Sequence, residues 1–221
     1  MSFKKRIFAD INIKHSELMK TNREKLLQDA FVMFLQYNYE KASYSLLTQA
    51  TGISKAGISY YYPTKQELFM AVVDRYILET HDADMKFTPA ESFAEFLDNF
   101  VHNVRKTMDW YVNILRQARN TGDSTVYSNF FGFMPQVQRY YPNAKEKLQV
   151  FWERFLSRWR IAIADAVKRG ELRSDTDIEL TANMFNNIYL GMSFMKSFST
   201  GLDTEELQRS LQYLYSTLKA H

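Results

Sequence analysis

Ser43-Tyr44-Ser45-Leu46-Leu47-Thr48-Gln49-Ala50-Thr51-Gly52-Ile53-Ser54-Lys55-Ala56-Gly57-Ile58-Ser59-Tyr60-Tyr61-Tyr62 reads as two short helices on either side of a tight turn. Gly52 can take the left-handed conformation that ends the first helix. The Ser54 hydroxyl can accept a hydrogen bond from a free amide in the first turn of the second. Leu46, Leu47, Ala50, Ile53 and Ile58 then form a buried side, which leaves Lys55, Ala56, Ser59 and Tyr60 facing outward. A short helix whose outer face is small, basic and hydroxylated suits entry into a DNA major groove. The stretch is expected to be a helix-turn-helix.

Its flanks complete a head. Thr21-Asn22-Arg23-Glu24 is a capping box, predicting a first helix from Thr21 that ends near Asn38, with Leu26, Leu27, Ala30, Phe31, Phe34 and Leu35 at helical spacing. Downstream, Pro63 disfavours helix at Tyr62, and Thr64 with Glu67 makes a second capping box. The fourth helix that starts there carries Leu68, Phe69, Val72, Val73, Tyr76 and Ile77. Its amino end, with Lys65, would offer unpaired amides and positive charge to a DNA phosphate. Residues 1–20 form a basic arm with Lys4, Lys5, Arg6, Lys14 and Lys20. It reads either as an arm that lies along a DNA backbone or reaches into a minor groove, or as a leader or short extra helix packed on the domain. Up to Lys65 the chain holds ten Lys/Arg and five Asp/Glu, and the remaining 156 residues hold 18 and 20. The basic excess therefore sits with the helix-turn-helix, where phosphates could use it.

Residues 21 to 77 resemble the DNA-binding domain of the tetracycline-repressor-like (TetR-type) family of bacterial transcriptional regulators. The resemblance is carried by Tyr39 after the first helix, Ser43 at the start of the second, Gly52-Ile53-Ser54-Lys55 at the turn, Tyr60-Tyr61-Tyr62, and Thr64-Lys65-Gln66-Glu67-Leu68-Phe69. Four positions depart from the family pattern: Asn38 stands for a glycine, Thr48 for an alanine, Gly57 for a threonine and Ser59 for a tyrosine. They bear on the operator that is read rather than on the fold. Carried over residue by residue, the resemblance implies that Ser43, Tyr61 and Lys65 hold phosphates. It also implies that Lys55, Ala56, Gly57 and Tyr60, with Ser59 beside them, approach base edges. One of Tyr61 and Tyr62 is expected instead to seal the last turn against the first and fourth helices.

Seven Gly and four Pro in 221 residues leave little material for sheet turns, so the chain is predicted to be all-α. The absence of cysteine excludes disulfides, thiolate metal sites and a Cys nucleophile. No window approaches the ~18 apolar residues of a membrane span, and the expected location is the cytoplasm. The predicted organisation is an arm over 1–20, the DNA-binding domain over 21–65 and a helical ligand-binding and dimerisation domain over 66–221. In the last, Thr88-Pro89-Ala90-Glu91 predicts a helix start, followed by Phe93, Phe96, Leu97, Phe100, Val101, Val104 and Met108 and a shorter helix from Trp110. Tyr127 to Pro135 is dense in aromatics and, with Gly132 and Pro135, is expected to be a distorted pocket wall or plain core. A long helix over 143–169 carries Leu148, Trp152, Phe155, Trp159, Ile163 and Ala166. The helix after the Gly170-Glu171-Leu172 turn carries Leu180, Met184, Ile188, Gly191, Met195 and Phe198. The turn also resembles the carboxy-terminal half of the TetR-type family, which implies a homodimer through residues 143–169 and 176–199. The last helix, from Thr204, could cover its own core or touch a partner.

The function expected is a sequence-specific regulator, a repressor that as a dimer holds a palindromic double-stranded operator and releases it when a small hydrophobic or aromatic molecule enters the larger domain. A ligand among residues 93 to 198 would tilt the fourth helix and change the spacing of the recognition helices. Candidate ligand contacts are Phe100, Trp110, Phe130, Phe133, Met134, Trp152, Phe155 and Asn187, with Asn186 and Asn187 open also to a role in the dimer. The alternative is a DNA-binding protein without a ligand, whose larger half recruits a protein. No phosphate loop, Gly-x-Ser-x-Gly elbow or His-Glu-x-x-His helix is present, the four His are scattered, and His81-Asp82-Ala83-Asp84 reads as a polar loop. No enzyme, cofactor or metal is expected.

Overall fold

The computed structural model describes residues 3–79, 83–119 and 126–220, and their side chains except those of 3–21, 84, 115–119 and 126–130. Apart from one antiparallel bridge between Leu172 and Lys219, the regular structure of the described residues is helical. The chain divides into two compact units, Met1–Val73 and Asp74–His221. The head thus keeps its whole fourth helix, eight residues beyond the boundary expected at Lys65.

The head contains α1 (Phe3–Lys41), α2 (Tyr44–Thr51), α3 (Lys55–Tyr61) and α4 (Lys65–Val73). Helix α1 begins at Phe3 and runs through the capping box expected to start it at Thr21. A capping box starts a helix only where the chain arrives in another conformation, and residues 3 to 20 hold neither Gly nor Pro to enforce one. Further along, Leu26, Ala30, Phe31 and Phe34 are fully buried, together with Leu47, Ile58, Leu68, Phe69 and Val72 from the other three helices. Tyr39 stacks on Phe34 at 6.0 Å and meets the edge of Phe69 at 5.1 Å. Asn38 interrupts α1 with φ 60° and ψ 172°. This backbone region is nearly confined to glycine. The Asn38 side chain partly compensates, its Oδ1 accepting from the Lys41 amide at 3.1 Å while its carbonyl accepts from the Ala42 amide at 3.1 Å.

The larger unit opens with a π-helical turn, Asp74–Glu79, followed by α5 (Ala83–Lys86), α6 (Phe93–Arg119), α7 (Val126–Tyr140), α8 (Ala144–Lys168), α9 (Ile178–Ser197) and α10 (Thr204–Leu218). Three expectations are corrected here. The start of α6 lies four residues later than Thr88: the Ser92 hydroxyl accepts from the Glu95 amide at 3.1 Å, and the Glu95 carboxylate returns to the Glu91 amide at 2.9 Å. The shorter helix expected from Trp110 is not a separate element, because α6 runs unbroken to Arg119. Helix α7 passes through Gly132 and Pro135 as one element; proline forfeits one backbone bond, while the Gln136 side-chain Nε2 donates to the Gly132 carbonyl at 3.3 Å.

An aromatic cluster fills this unit. Trp159 of α8 lies 4.8 Å from Phe100, 5.1 Å from Phe87, 5.3 Å from Phe185 and 5.5 Å from Phe96. On α8 the buried positions are Ala144, Leu148, Phe151, Phe155, Trp159, Ile163 and Ala166. Phe151 takes the place expected for Trp152, which is 39% exposed. Helix α10 buries Leu207, Leu211 and Leu214 and packs on α6 and α9, so it covers its own core. The Glu171 carboxylate ties the α8–α9 turn to the start of α6, accepting from the Phe93 amide at 2.7 Å and from Arg169 at 2.5 Å.

The strained Asn38 supplies a test of how the head is closed. Asn38→Ala removes the side-chain cap and keeps the unfavourable backbone, so urea unfolding should show a loss of about 1–2 kcal/mol. Asn38→Gly relieves the strain and should recover about 1 kcal/mol relative to the Ala variant. Equal stability of all three proteins would mean that the kink carries no strain.

Candidate nucleic-acid interface and effector region

The turn forms as its residues dictate. Ser43 caps α2, accepting from the Leu46 amide at 3.2 Å. Gly52 ends α2 at φ 70°, its amide bonded to the Thr48 carbonyl at 2.9 Å. Thr51 locks the corner by donating to the Leu47 carbonyl at 2.8 Å and accepting from the Ile53 amide at 3.0 Å. Ser54 then caps α3 by accepting from the Gly57 amide at 3.2 Å. A Cβ on Gly57 would lie 2.8 Å from Cγ2 of Ile53. The glycine that departs from the family pattern therefore serves the packing of the turn, whatever it also offers to DNA.

Lys55, Ala56 and Tyr60 are exposed on α3, with Tyr60 at 72%. Ser59 is half-buried and hydrogen-bonded to the Tyr44 hydroxyl, rather than free on the outer face. Burial raises the Tyr44 phenol above its ordinary pKa, and this bond to Ser59 opposes the shift. Tyr44 also donates weakly to the Pro63 carbonyl at 3.4 Å, and the Lys55 ammonium lies 6.0 Å above its ring. Of the tyrosine run, Tyr62 is the sealing residue: it is 5% exposed and its hydroxyl accepts from Arg23 Nε at 3.0 Å. Tyr61 is half-buried, edge-to-face with Tyr60 at 5.4 Å. Thr64 and Glu67 form the expected reciprocal cap, at 3.1 Å and 2.9 Å.

Lys65 has a role that its position in the sequence did not reveal. Its ammonium donates to the carbonyls of Tyr39 at 2.9 Å and Ala42 at 3.1 Å, and lies 4.4 Å over the Tyr39 ring. Two of its three protons thus satisfy carbonyls around the end of α1. Expected at a phosphate, it is here first a staple between α4 and α1.

In the larger unit the expected ligand residues fall into separate places. Phe100 and Phe155 meet through Phe87, at 5.0 Å and 5.4 Å. Trp152 sits at the edge of that cluster, 6.0 Å from Phe155. Trp110 stacks on Tyr76 at 5.8 Å and is 36% exposed. Phe133 is buried and Met134 half-buried on α7, Asn187 is exposed on α9, and the Phe130 side chain lies outside the described residues. A groove of about 530 Å³ reaches Phe87, Phe93 and Phe96 between Ile161, Arg158 and Arg169; none of the eight expected residues lines it.

Two features escaped the sequence. The hydroxyl of Tyr111 is wholly buried and donates to the Tyr76 carbonyl. Lys86 is 1% exposed, although a lysine in a polar segment reads as a solvated one. Among the described residues no three His, Cys, Asp or Glu groups converge as a metal site. His81 and Asp82 lie outside those residues.

Residues 26–72 match the family described as bacterial regulatory proteins, tetR family. The chain is 24% identical over 182 residues to the uncharacterized HTH-type transcriptional regulator YezE of Bacillus subtilis (strain 168), covering 80% of this chain and 87% of that one. Its fold is similar to that of a TetR family regulator from Cytophaga hutchinsonii, with a TM-score of 0.63 at 15% identity over 92% of this chain and 97% of the other. It is similar also to a putative transcriptional regulator from Saccharomonospora viridis in complex with choline, with a TM-score of 0.62 at 16% identity over 91% and 100%. No described helix is long and apolar enough to cross a membrane. The capped turn, the exposed face of α3 and the matched stretch agree that the head is a TetR-type helix-turn-helix, and the comparisons support a DNA-binding transcriptional regulator rather than an enzyme.

Proposed function

We propose that the protein acts in the cytoplasm as a homodimeric repressor, bound to a palindromic operator and released by a small hydrophobic or aromatic molecule held in the larger unit. The observation that carries the dimer is the outer face of α9. Leu180, Met184, Asn187, Gly191, Met195 and Phe198 follow at intervals of three and four, which puts all six on one helical face, and all six are exposed. Met195 and Phe198 are each 67% exposed and Leu180 59%. An exposed stripe of this length, apolar except for Asn187, marks a surface that another surface covers. Gly191 has nothing within 4 Å of where its Cβ would be, which leaves room for the close approach of a second helix. Val150 and Ile161 extend apolar exposure onto α8, at 55% and 51%. A twofold pairing of α8 and α9 satisfies both stripes with one self-complementary patch. Asn187 lies in the stripe, so it is assigned to this interface and removed from the ligand set.

Dimerisation is also what seven residues of α3 need in order to be specific. One such helix covers a few base pairs, and two placed ~34 Å apart read both halves of a palindrome. Lys55, Ala56 and Tyr60 are the residues assigned to base edges. Ser43, Tyr61 and the remaining proton of Lys65 are assigned to phosphates. The reading of a small-molecule effector is supported by the groove down to Phe87, Phe93 and Phe96 and by the choline held by the similar fold. Such a molecule moves the equilibrium only as far as it prefers the state that cannot hold DNA.

Met195→Arg combined with Phe198→Glu should convert the dimer to a monomer in sedimentation equilibrium and abolish shift of a palindromic duplex at low salt, with helix content by circular dichroism unchanged. A variant that stays dimeric would remove the assignment of α9.

Lys55 and Lys65 should separate recognition from support. Lys55→Ala should weaken DNA binding and lower the slope of log affinity against log salt by about one, while the melting temperature stays put. Lys65→Met should cost the head about 1–3 kcal/mol by leaving carbonyls around the end of α1 unpaired. A Lys65→Met protein that melts normally and loses only DNA affinity would reverse the two roles.

A further inference from the structure

Lys86 lies at the end of the four-residue helix α5 and is 1% exposed. Its Nζ donates to the Thr107 hydroxyl oxygen at 2.7 Å, and Thr107 spends its own proton on the Asn103 carbonyl at 2.9 Å. Asn103 in turn donates to the Lys86 carbonyl at 3.2 Å, which pins the backbone of α5 to α6. Among the described residues this is the amine's single hydrogen bond, so its other protons have no acceptor. Helix α5 packs on α6 and α8. The carboxylates of those two helices are Glu95, Asp98, Asp109, Glu146, Glu153 and Asp165, and every one of them is exposed. No charge among them compensates the lysine, and burial alone lowers its pKa to about 7.

An arrangement of this kind subtracts from stability. A buried cation without a partner is among the costliest groups a fold can hold, and an apolar side chain of the same length would fill the space at less cost. A placed donor inside an otherwise apolar unit is what orients a ligand in such sites. One cation neutralises one charge; a phosphate would bring a second charge with nothing to meet it. The position of Thr107 on α6 has Val104 and Tyr111 one turn away, both buried, so the surroundings suit a carbon skeleton. We propose that Lys86 and Thr107 form the anchor for the carboxylate of a hydrophobic monocarboxylic acid, and that such an acid is the class of effector this protein takes. The second clause rests on the effector reading above; the first does not.

The probes are phenylacetate and octanoate, with phenylacetamide and octanamide as uncharged counterparts, titrated calorimetrically into the full-length protein. The acids should bind at least tenfold more tightly than their amides. Pairing raises the lysine's pKa above its free value of about 7. Binding at pH 8 should therefore take up close to one proton, seen as a dependence of the heat on the buffer's ionisation enthalpy. Acid affinity should fall up to tenfold per pH unit above 7, and amide affinity should not change. Lys86→Met should bring acid and amide to equal affinity, with its thermal unfolding recorded alongside to show that it is folded. Equal binding of acid and amide by the wild-type chain, no proton uptake, or no binding of any probe at millimolar concentration would overturn the anchor. Release of a selected palindromic duplex is measured with the same probes. Acids that bind at Lys86 without releasing DNA would support the anchor and overturn acids as effectors, whereas release by the amides alone would overturn the anchor and leave the effector reading standing.

Discussion

The ammonium of Lys65 closes the head. Helix α1 passes through a backbone conformation at Asn38 that only a glycine holds without strain, and the carbonyls of Tyr39 and Ala42 just beyond it have to be satisfied. Lys65 reaches both, and its charge rests on the face of Tyr39. Tyr39 is thereby held in the aromatic corner it makes with Phe34 and Phe69. The corner fixes α4 against α1, and the two together form the floor on which Leu47 and Ile58 rest. The attitude of α3 on the head follows from this seat. A side chain expected to touch DNA thus sets the angle at which other side chains can.

The larger unit is organised by a different rule. Its centre is aromatic, with Trp159 among four phenylalanines, and rings of this kind prefer edge-to-face and offset contacts at the observed 4.8 to 5.5 Å. The indole Nε1 of Trp159 is buried without a partner among the described residues. The Lys86 amine is buried with one. Both groups cost the free protein stability, and both sit in the part of the molecule whose outer face, on α9, is apolar.

The helix-turn-helix was legible because each of its joints depends on a local chemical signal. Ser43, Gly52, Ser54 and the Thr64–Glu67 pair act within three or four residues of themselves, and the structure uses every one. Signals that depend on what the chain does elsewhere were misread. Thr21 looked like a helix start because nothing local says that the preceding residues are already helical. Trp152 and Phe151 are adjacent, and a period of 3.6 does not decide between them; packing into the buried cluster does, where Phe151 lies 5.4 Å from Phe155. Lys86 and Lys65 are long-range cases, one buried and one bonded to carbonyls 23 and 26 positions away. The stripe Leu180, Met184, Met195 and Phe198 was visible as apolar periodicity, but the pattern does not say whether such a stripe faces the core. In the fold it is Thr181, Ala182, Phe185 and Tyr189 that turn inward.

The same distinction narrows what α3 can offer to DNA. Sequence alone placed Lys55, Ala56, Ser59 and Tyr60 on an outward face, and the family resemblance added Gly57 to the residues near base edges. In the fold Ser59 turns to Tyr44 and Gly57 makes room for Ile53, so both are committed to holding the helix. The exposed face is then one ammonium, one methyl and one phenol, from Lys55, Ala56 and Tyr60. Tyr44 constrains this set as well: it contacts Ser59, faces the Lys55 ammonium and reaches the Pro63 carbonyl, so it links the two ends of α3. With few side chains free to read bases, specificity depends on how rigidly they are presented and on their repetition across a twofold axis. Local capping and the Lys65 seat provide the first, and the proposed twofold pairing through α9 would provide the second.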